Sequence, residues 1–479
     1  MSLRRRRDAA RLLNGRRAAC GRLRACACSC SAPAPPTGGR TRGAAAPRAP
    51  QHALLARCGA RGAAREQGVL RGQTGALVDG LLLVEIGAET PRAALRHGTT
   101  LADVDAVLVT HAHPDHHSWP AWMWRGWAAG RRPLTLVAPP AVLAAARDRL
   151  DDTVTTVEIA PGDHVHVAGY DVVALAARHA TPDVGPAVLY DVTAPDGARL
   201  LWACDTGVLP DETLDAVTDR RYDAVVLELT SAHLPHHHDL RTWPEQVAEL
   251  RRRGAVAAHT HVLAAHLGHD NPPPDELARV LAGWGARAPV DGEVVDLGTP
   301  PQRVPVLRRT LVLGGARSGK SAHAEQLLAS EPRVTYVATA PERPGDDEWA
   351  ARVRAHAARR PAGWRTVETG DVAAELRDAD GAVLVDDLGL WLTRALDELH
   401  AWDGALPDDV GTRVDDLVSA WRDCRARAVL VAPVVGSGVV PATASGRRFR
   451  DLLGSVTARL SAESDGVVEV VAGLSRRLR

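Results

Sequence analysis

The segment from Thr310 through Leu311, Val312 and Leu313 into Gly314, Gly315, Ala316, Arg317, Ser318, Gly319, Lys320 and Ser321 constrains the fold of this 479-residue chain more than any other stretch. An apolar, β-branched run, then G-x4-G-K-S, then a helix-compatible run dictates a strand, a glycine turn and a helix N-terminus in succession. In that context backbone N–H groups and the helix dipole cradle phosphate. Composition sharpens the point, because Lys320 is the only lysine and all 57 other basic residues are arginine. A compact ammonium reaches β- and γ-phosphates where a planar guanidinium fits poorly. Ser321 is expected to ligate Mg²⁺, and Asp386, closing the apolar run that starts at Ala382, to be its acidic partner.

Further motifs follow the loop in order. They are Tyr336-Val-Ala338-Thr339-Ala340, the segment Arg352 to Glu368 containing His356 and Arg359-Arg360-Pro361, Leu384 to Thr393, and Gly436 to Pro441. On this ordered set, residues 307–479 resemble the bifunctional adenosylcobinamide kinase/adenosylcobinamide-phosphate guanylyltransferases of cobalamin biosynthesis. The resemblance implies phosphorylation of a hydroxyl of adenosylcobinamide, then transfer of GMP from GTP onto that phosphate. GTP, ATP and adenosylcobinamide are the implied ligands, with Mg²⁺ accompanying the nucleotide. His356 corresponds to the guanylylated histidine, with catalytic roles also for Lys320 and Asp386. Nucleotide contacts are implied for every residue from Gly314 to Ser321 and for Ala338, Thr339, Ala340, Arg359, Arg360, Pro361, Glu368 and Asp386. An imidazole attacking an α-phosphate splits one hard displacement into two easier ones. Arg352 and Arg360 lie one helical turn either side of His356, where they would depress its pKa and keep it a neutral nucleophile. Related sequences usually carry Asn or Glu where this chain has Arg394, Pro433, Val434, Ala442, Thr443 and Thr457.

Histidine is unevenly distributed, with 17 of 20 before residue 305. An apolar strand, Val107 to Val109, runs directly into His111-Ala-His113-Pro-Asp115-His116-His117. Such a strand delivers imidazoles and a carboxylate to one loop, a donor set that suits zinc and related divalent ions. On these residues, about 66–300 resemble the metallo-β-lactamase-fold hydrolases. The resemblance implies two divalent metals, with zinc expected. His111, His113 and His179 would hold one, Asp115, His116 and His266 the second, and Asp205 would bridge them. His259 and His261 compete with His266. The implied reaction is phosphoester hydrolysis, for which His238, within His233 to Asp239, is a candidate proton donor to the leaving group. A solvated histidine-rich loop is the competing reading of that segment. Trp119, Trp122, Trp124 and Trp127, just past the metal loop, suit either a substrate mouth or the core, and aromatic density favours the core.

A chain this long is expected to form two or three domains. The expected class is α/β: a metallo-β-lactamase-fold αββα sandwich over 66–300, a Pro-rich linker at 301–306, and a P-loop NTPase-like parallel sheet with crossover helices over 307–479. Residues 1–65 carry 15 arginines against one acid, Asp8, and no apolar periodicity, so disorder is expected there. Basic and acidic residues balance at 58 each, leaving 57 acids against 43 bases beyond that tail and no support for a nucleic-acid partner. Five of seven cysteines lie in the first 58 residues, and no apolar run approaches the roughly 20 residues of a membrane span. These features predict a cytoplasmic enzyme of small-molecule substrates with no membrane span, compatible with a homo-oligomer.

Overall fold

The computed structural model describes residues 22–26, 71–181, 184–230, 234–268, 270–301, 307–340, 360–361 and 363–479. Two compact units divide the chain, the first ending at Arg303.

In the first unit, short β-branched runs build two sheets. One contains Arg22–Cys26 (β1), Gly75–Val78 (β2), Leu82–Val84 (β3), Ala106–Leu108 (β4), Leu134–Ala138 (β5), Val154–Glu158 (β6) and Glu293–Asp296 (β13), in the order β13-β1-β2-β3-β4-β5-β6. The other contains His164–Val167 (β7), Tyr170–Thr181 (β8), Gly185–Thr193 (β9), Arg199–Ala203 (β10), Tyr222–Glu228 (β11) and Val256–Ala265 (β12), in the order β12-β11-β10-β9-β8-β7. The sheets face each other through buried Val84, Leu108, Val172, Tyr190, Trp202 and Leu263. Trp119–Trp127 (α1) covers one outer face through Trp122. Thr242–Arg252 (α2) and Pro274–Gly283 (α3) cover the other through Trp243, Val247 and Leu281. The result is a four-layer αββα sandwich. A strand such as β11 reads as a continuous apolar run because both its faces are buried, Val226 inward and Val225 outward.

β1 falls inside the segment expected to lack structure. Its backbone pairs antiparallel with both β2 (Leu23 opposite Val78) and β13 (Leu23 opposite Val295). The partners come from strands far away in sequence, which a five-residue pattern does not reveal. The remainder of residues 1–65, and residues 302–306 of the expected linker, lie outside the described residues.

The second unit is a seven-stranded sheet. Arg309–Gly314 (β14), Val334–Ala338 (β15), Arg365–Glu368 (β16), Ala382–Asp386 (β17), Ala428–Pro433 (β18), Gly466–Val471 (β19) and Leu474–Arg477 (β20) take the order β16-β15-β17-β18-β14-β19-β20. Every pair is parallel except β19 with β20. Lys320–Leu328 (α4) packs on one face through Ala324 and Leu328. Leu388–Glu398 (α5), Asp408–Asp423 (α6) and Ala444–Ala462 (α7) pack on the other through Trp391, Trp421 and Leu453. Parallel strands collect their carboxyl ends on one edge, where α/β sheets bind ligands. The register there sets Glu368, Ala338 and Asp386 side by side. Among the described residues, no helix is long and apolar enough to cross a membrane.

Trp421 anchors the larger core of this unit: it is fully buried, and its indole N–H donates to Ser464 Oγ at 3.1 Å. Trp421→Ala should lower the unfolding free energy of the second unit by about 3–5 kcal/mol, measured by denaturant titration. It should leave the first unit's transition in place.

Candidate active sites

The first site stands where β4 and its neighbours end. Past Leu108 the chain leaves the ladder and turns, and His111, His113, Asp115 and His116 converge with residues from β8, β10 and β12. Around Asp205, just after β10, the Oδ2 oxygen lies 3.5 Å from His111 Nε2, 3.4 Å from His116 Nε2 and 3.8 Å from His179 Nε2. Its Oδ1 lies 3.0 Å from His266 Nε2. Asp115 Oδ2 lies 3.3 Å from His266 Nε2 and 3.6 Å from His116 Nε2. His113 Nδ1 lies 2.8 Å from His111 Nε2 and 3.3 Å from His179 Nε2. All seven residues expected as ligands are therefore together: His111, His113 and His179 gather with Asp205, Asp115 and His116 gather with His266, and Asp205 and His266 also lie within reach of Glu228 and His237.

Burial and the facing carboxylates compete over the protonation of this cluster: His116 is held well above its ordinary value, against its burial, by Asp205, Glu85 and Asp115. Burial pushes His111 down to about 3, with His116 adding to the effect, and His179 down to about 4. Both rings are neutral and free to donate lone pairs. Burial alone would raise Asp205, but His266 and His116 hold its carboxyl well below the usual range. Both ring nitrogens of His116, and Asp205 Oδ1, are buried without a hydrogen-bond partner, their neighbours standing at ion-pair distance only. Orphaned donor atoms of this kind, together with an N/O ligand set, fit a divalent cation.

Behind the ligands stand two glutamates sealed from solvent. Glu85 accepts from the Thr110 backbone N–H at 3.2 Å, Thr110 Oγ1 at 2.7 Å and Trp202 Nε1 at 3.2 Å, and lies 3.2 Å from His116 Nδ1. Glu228, at the end of β11, accepts from the Thr230 backbone N–H at 3.0 Å and Thr230 Oγ1 at 2.5 Å, and lies 3.2 Å from His237 Nδ1. Thr110 Oγ1 and Thr230 Oγ1 in turn lie 2.9 Å and 3.0 Å from the Nδ1 atoms of His111 and His266. None of these four residues stood out in the sequence. The only signal was their place at strand ends.

Geometry settles the competition for the late histidine. His261 Nε2 is 2.7 Å from the Thr299 carbonyl, and His259 lies 3.7 Å from Asp223, so neither joins the cluster. His266 ends β12 at φ 51, a left-handed conformation that turns the chain there.

His238 stands back from the cluster. Its side chain is fully buried, its Nδ1 is 3.2 Å from Thr242 Oγ1, and Glu228 captures its backbone N–H at 2.8 Å. Of the residues after Pro235, it is His236 and His237 that face the cluster, the His236 ring lying 5.4 Å from that of His179. The His237 ring stacks on His266 at 6.0 Å between centroids and lies 5.1 Å from His179. Trp122 alone of the four tryptophans is core, while Trp119, Trp124 and Trp127 are 47%, 53% and 72% exposed.

The second site lies along the carboxyl edge of the parallel sheet. Gly314 admits no larger residue, since a Cβ there would stand 2.7 Å from the Val470 carbonyl. Gly319 takes φ 93, open to glycine without cost, and Lys320 opens α4 directly after it. Gly315, Ala316 and Arg317 are exposed along the loop, and the Ser318 carbonyl accepts from the Gly473 N–H at 2.8 Å. Ser321 Oγ donates to Asp386 Oδ1 at 3.2 Å. Thr339 Oγ1 donates to the Asp387 carbonyl at 2.7 Å, holding the Ala338–Ala340 segment beside β17. Arg360 Nη1 donates to Thr366 Oγ1 at 3.1 Å, Pro361 follows it, and exposed Glu368 closes β16. His356 and Arg359 lie outside the described residues.

Relatives of known name match each unit. A family model described as cobinamide kinase/cobinamide phosphate guanyltransferase matches residues 310–478. The bifunctional adenosylcobalamin biosynthesis protein CobU of Salmonella typhimurium is 38% identical over 185 residues, covering 35% of this chain and 98% of the relative. This chain belongs to the cobinamide kinase/guanyltransferase family. Unlike that relative, it carries a second fold on the N-terminal side, where a β-lactamase superfamily domain model matches residues 79–282. Ribonuclease Z of Methanopyrus kandleri is 36% identical over 106 residues, 22% of this chain and only 38% of that enzyme. The metallo-β-lactamase fold protein YhfI of Bacillus subtilis aligns with a TM-score of 0.41 and 14% identity, covering 57% of this chain and 98% of that one. In this family member, then, a metallo-β-lactamase fold precedes the kinase/guanyltransferase unit.

Glu85 lies 3.2 Å from His116 Nδ1, and if it orients that ring, Glu85→Gln should weaken binding of added zinc about 10–100-fold. Competition of the zinc-loaded chain against a chromophoric chelator measures this. Unchanged affinity would show that the buried carboxylate is not needed to orient the ring.

Proposed function

We propose that the C-terminal unit phosphorylates a hydroxyl of adenosylcobinamide and then transfers GMP from GTP to the resulting phosphate through His356. The N-terminal unit, on the same reading, is a dinuclear metal-dependent phosphoester hydrolase. The observation that carries the nucleotide reading is the Ser321–Asp386 contact at the mouth of a glycine loop holding the chain's one lysine. Ser321 and Asp386 would hold Mg²⁺, which neutralises phosphate charge when bound. Lys320 reaches the β- and γ-phosphates. In the transfer step the His356 imidazole nitrogen bonds to the α-phosphorus as the bond to the β-phosphate oxygen breaks, releasing pyrophosphate. The substrate phosphate oxygen then displaces the histidine and carries away GMP.

In the hydrolase, the two groups of ligands around Asp205 suit two divalent ions, and their N/O donors favour zinc. Such ions supply a low-pKa water and stabilise charge on attacking and leaving oxygens. His237 takes the proton-donor role. Burial alone would lower its pKa, but Glu228 and Asp205 together raise it, keeping a proton available on a ring that faces the cluster. His237→Ala should reduce phosphodiester turnover about 10²–10⁴-fold while retaining the wild-type metal content, as read by bis(p-nitrophenyl) phosphate hydrolysis beside metal analysis. Parallel loss of metal would reassign His237 as a ligand.

A second reading makes the hydrolase the only active unit and the P-loop unit a nucleotide-binding or regulatory module. Departures from the family pattern favour it. Pro433 is packed so closely that a Cβ on Gly389 would stand 2.7 Å from its Cγ, Arg394 is paired to Glu398 at 2.9 Å, and Thr443 is spent capping α7 through the Gly446 N–H at 3.1 Å. Incubation with α-labelled GTP separates the two. A covalent label present in the wild type and absent in His356→Ala supports transfer, whereas GTP binding without label supports the regulatory module.

A further inference from the structure

One buried side chain touches two groups that the nucleotide reading uses separately. Tyr336 lies in β15, two residues before Ala338, and is 3% exposed. Its hydroxyl donates to Asp386 Oδ2 at 2.7 Å, while Asp386 Oδ1 accepts from Ser321 Oγ at 3.2 Å. Over its ring face stands Arg360, the guanidinium carbon 3.3 Å from the ring centroid. Burial and the neighbouring Asp386 raise the phenol well above its ordinary value, so it remains a donor across the working pH range.

A tyrosine in a buried strand needs a partner for its hydroxyl, and any acceptor would serve that need. Here the acceptor is the acidic group beside the phosphate loop, and the face of the same ring holds a cation of the same site. A carboxylate with one oxygen tied presents the other in a set direction. A guanidinium resting on an aromatic face loses less freedom when it meets a phosphate.

We propose that Tyr336 is a positioning residue of the nucleotide site: its hydroxyl turns Asp386 so that Oδ1 faces Ser321, the pair that would hold Mg²⁺, and its ring seats Arg360 for the nucleotide phosphates. This rests on the nucleotide reading above, and the two are separable by experiment. The full-length chain is titrated with a fluorescent GTP analogue at graded MgCl₂. Tyr336→Phe keeps the ring and its packing, so the Mg²⁺ concentration for half-maximal nucleotide binding should rise about tenfold, with affinity at saturating Mg²⁺ within about twofold of wild type. Arg360→Met should do the reverse, lowering affinity at saturating Mg²⁺ about tenfold with the Mg²⁺ midpoint unmoved. A purely structural role for the tyrosine would not split the two parameters in this way. The Arg360 variant also tests the ring contact without altering the buried strand. A Tyr336→Phe midpoint equal to wild type, or an Arg360→Met affinity equal to wild type, overturns the proposal. Wild-type chain that binds no analogue overturns the nucleotide reading itself, and this inference with it.

Discussion

Two carboxylates withdrawn from water, those of Glu85 and Glu228, set the terms for the whole N-terminal unit. Each is fully buried, and a bare carboxylate in such a place costs several kcal/mol unless donors replace its hydration. The fold supplies them: a threonine hydroxyl and backbone N–H to each, the Trp202 indole to Glu85, and the His238 N–H to Glu228. Once satisfied, these groups act through the histidines. His237 is hydrogen-bonded at Nδ1 by Glu228, and His111 and His266 by the threonines, while Glu85 stands at ion-pair distance from His116 Nδ1. The facing nitrogens are left pointing at one another and at Asp205, an arrangement that fits a divalent cation.

The C-terminal unit meets a different demand with the same topological device. All but the last of its strands run parallel, so their carboxyl ends leave the ladder and turn on one edge. Glycine at 314 and 319 lets the first of those turns close tightly, and Asp386 arrives from β17 to meet Ser321 across it. Strands β15, β16 and β17 then align Ala338, Glu368 and Asp386 in one row, with Tyr336 beneath. In both units the chemistry gathers at strand ends, because that is where side chains from distant segments are carried to one point by a rigid sheet.

Much of this was legible from local pattern. The strands around Leu108, Leu136, Val226, Val312 and Leu384 are apolar runs bounded by turn residues, and the metal loop and glycine loop each follow such a run directly. Short or exposed strands were not legible. β6 shows solvent three of its five residues, β16 is mostly exposed, and β1 is a strand only because β2 and β13 flank it. The tryptophans of α1 also misled: composition favoured core, whereas helical geometry buries Trp122 and leaves the other three outward.

The amino-acid sequence by itself determined the donor types and the loops that present them: His111, His113, Asp115 and His116 in one turn, Lys320 and Ser321 in another, with His179, Asp205 and Asp386 each placed at or near the end of an apolar strand. Only the tertiary structure carried His266 rather than His261 to the cluster, set His238 back from it with His237 facing it, and put buried glutamates behind the rings. Those placements depend on the direction a side chain takes from an irregular turn and on partners more than a hundred residues away. Neither is encoded in the spacing of residues along the chain.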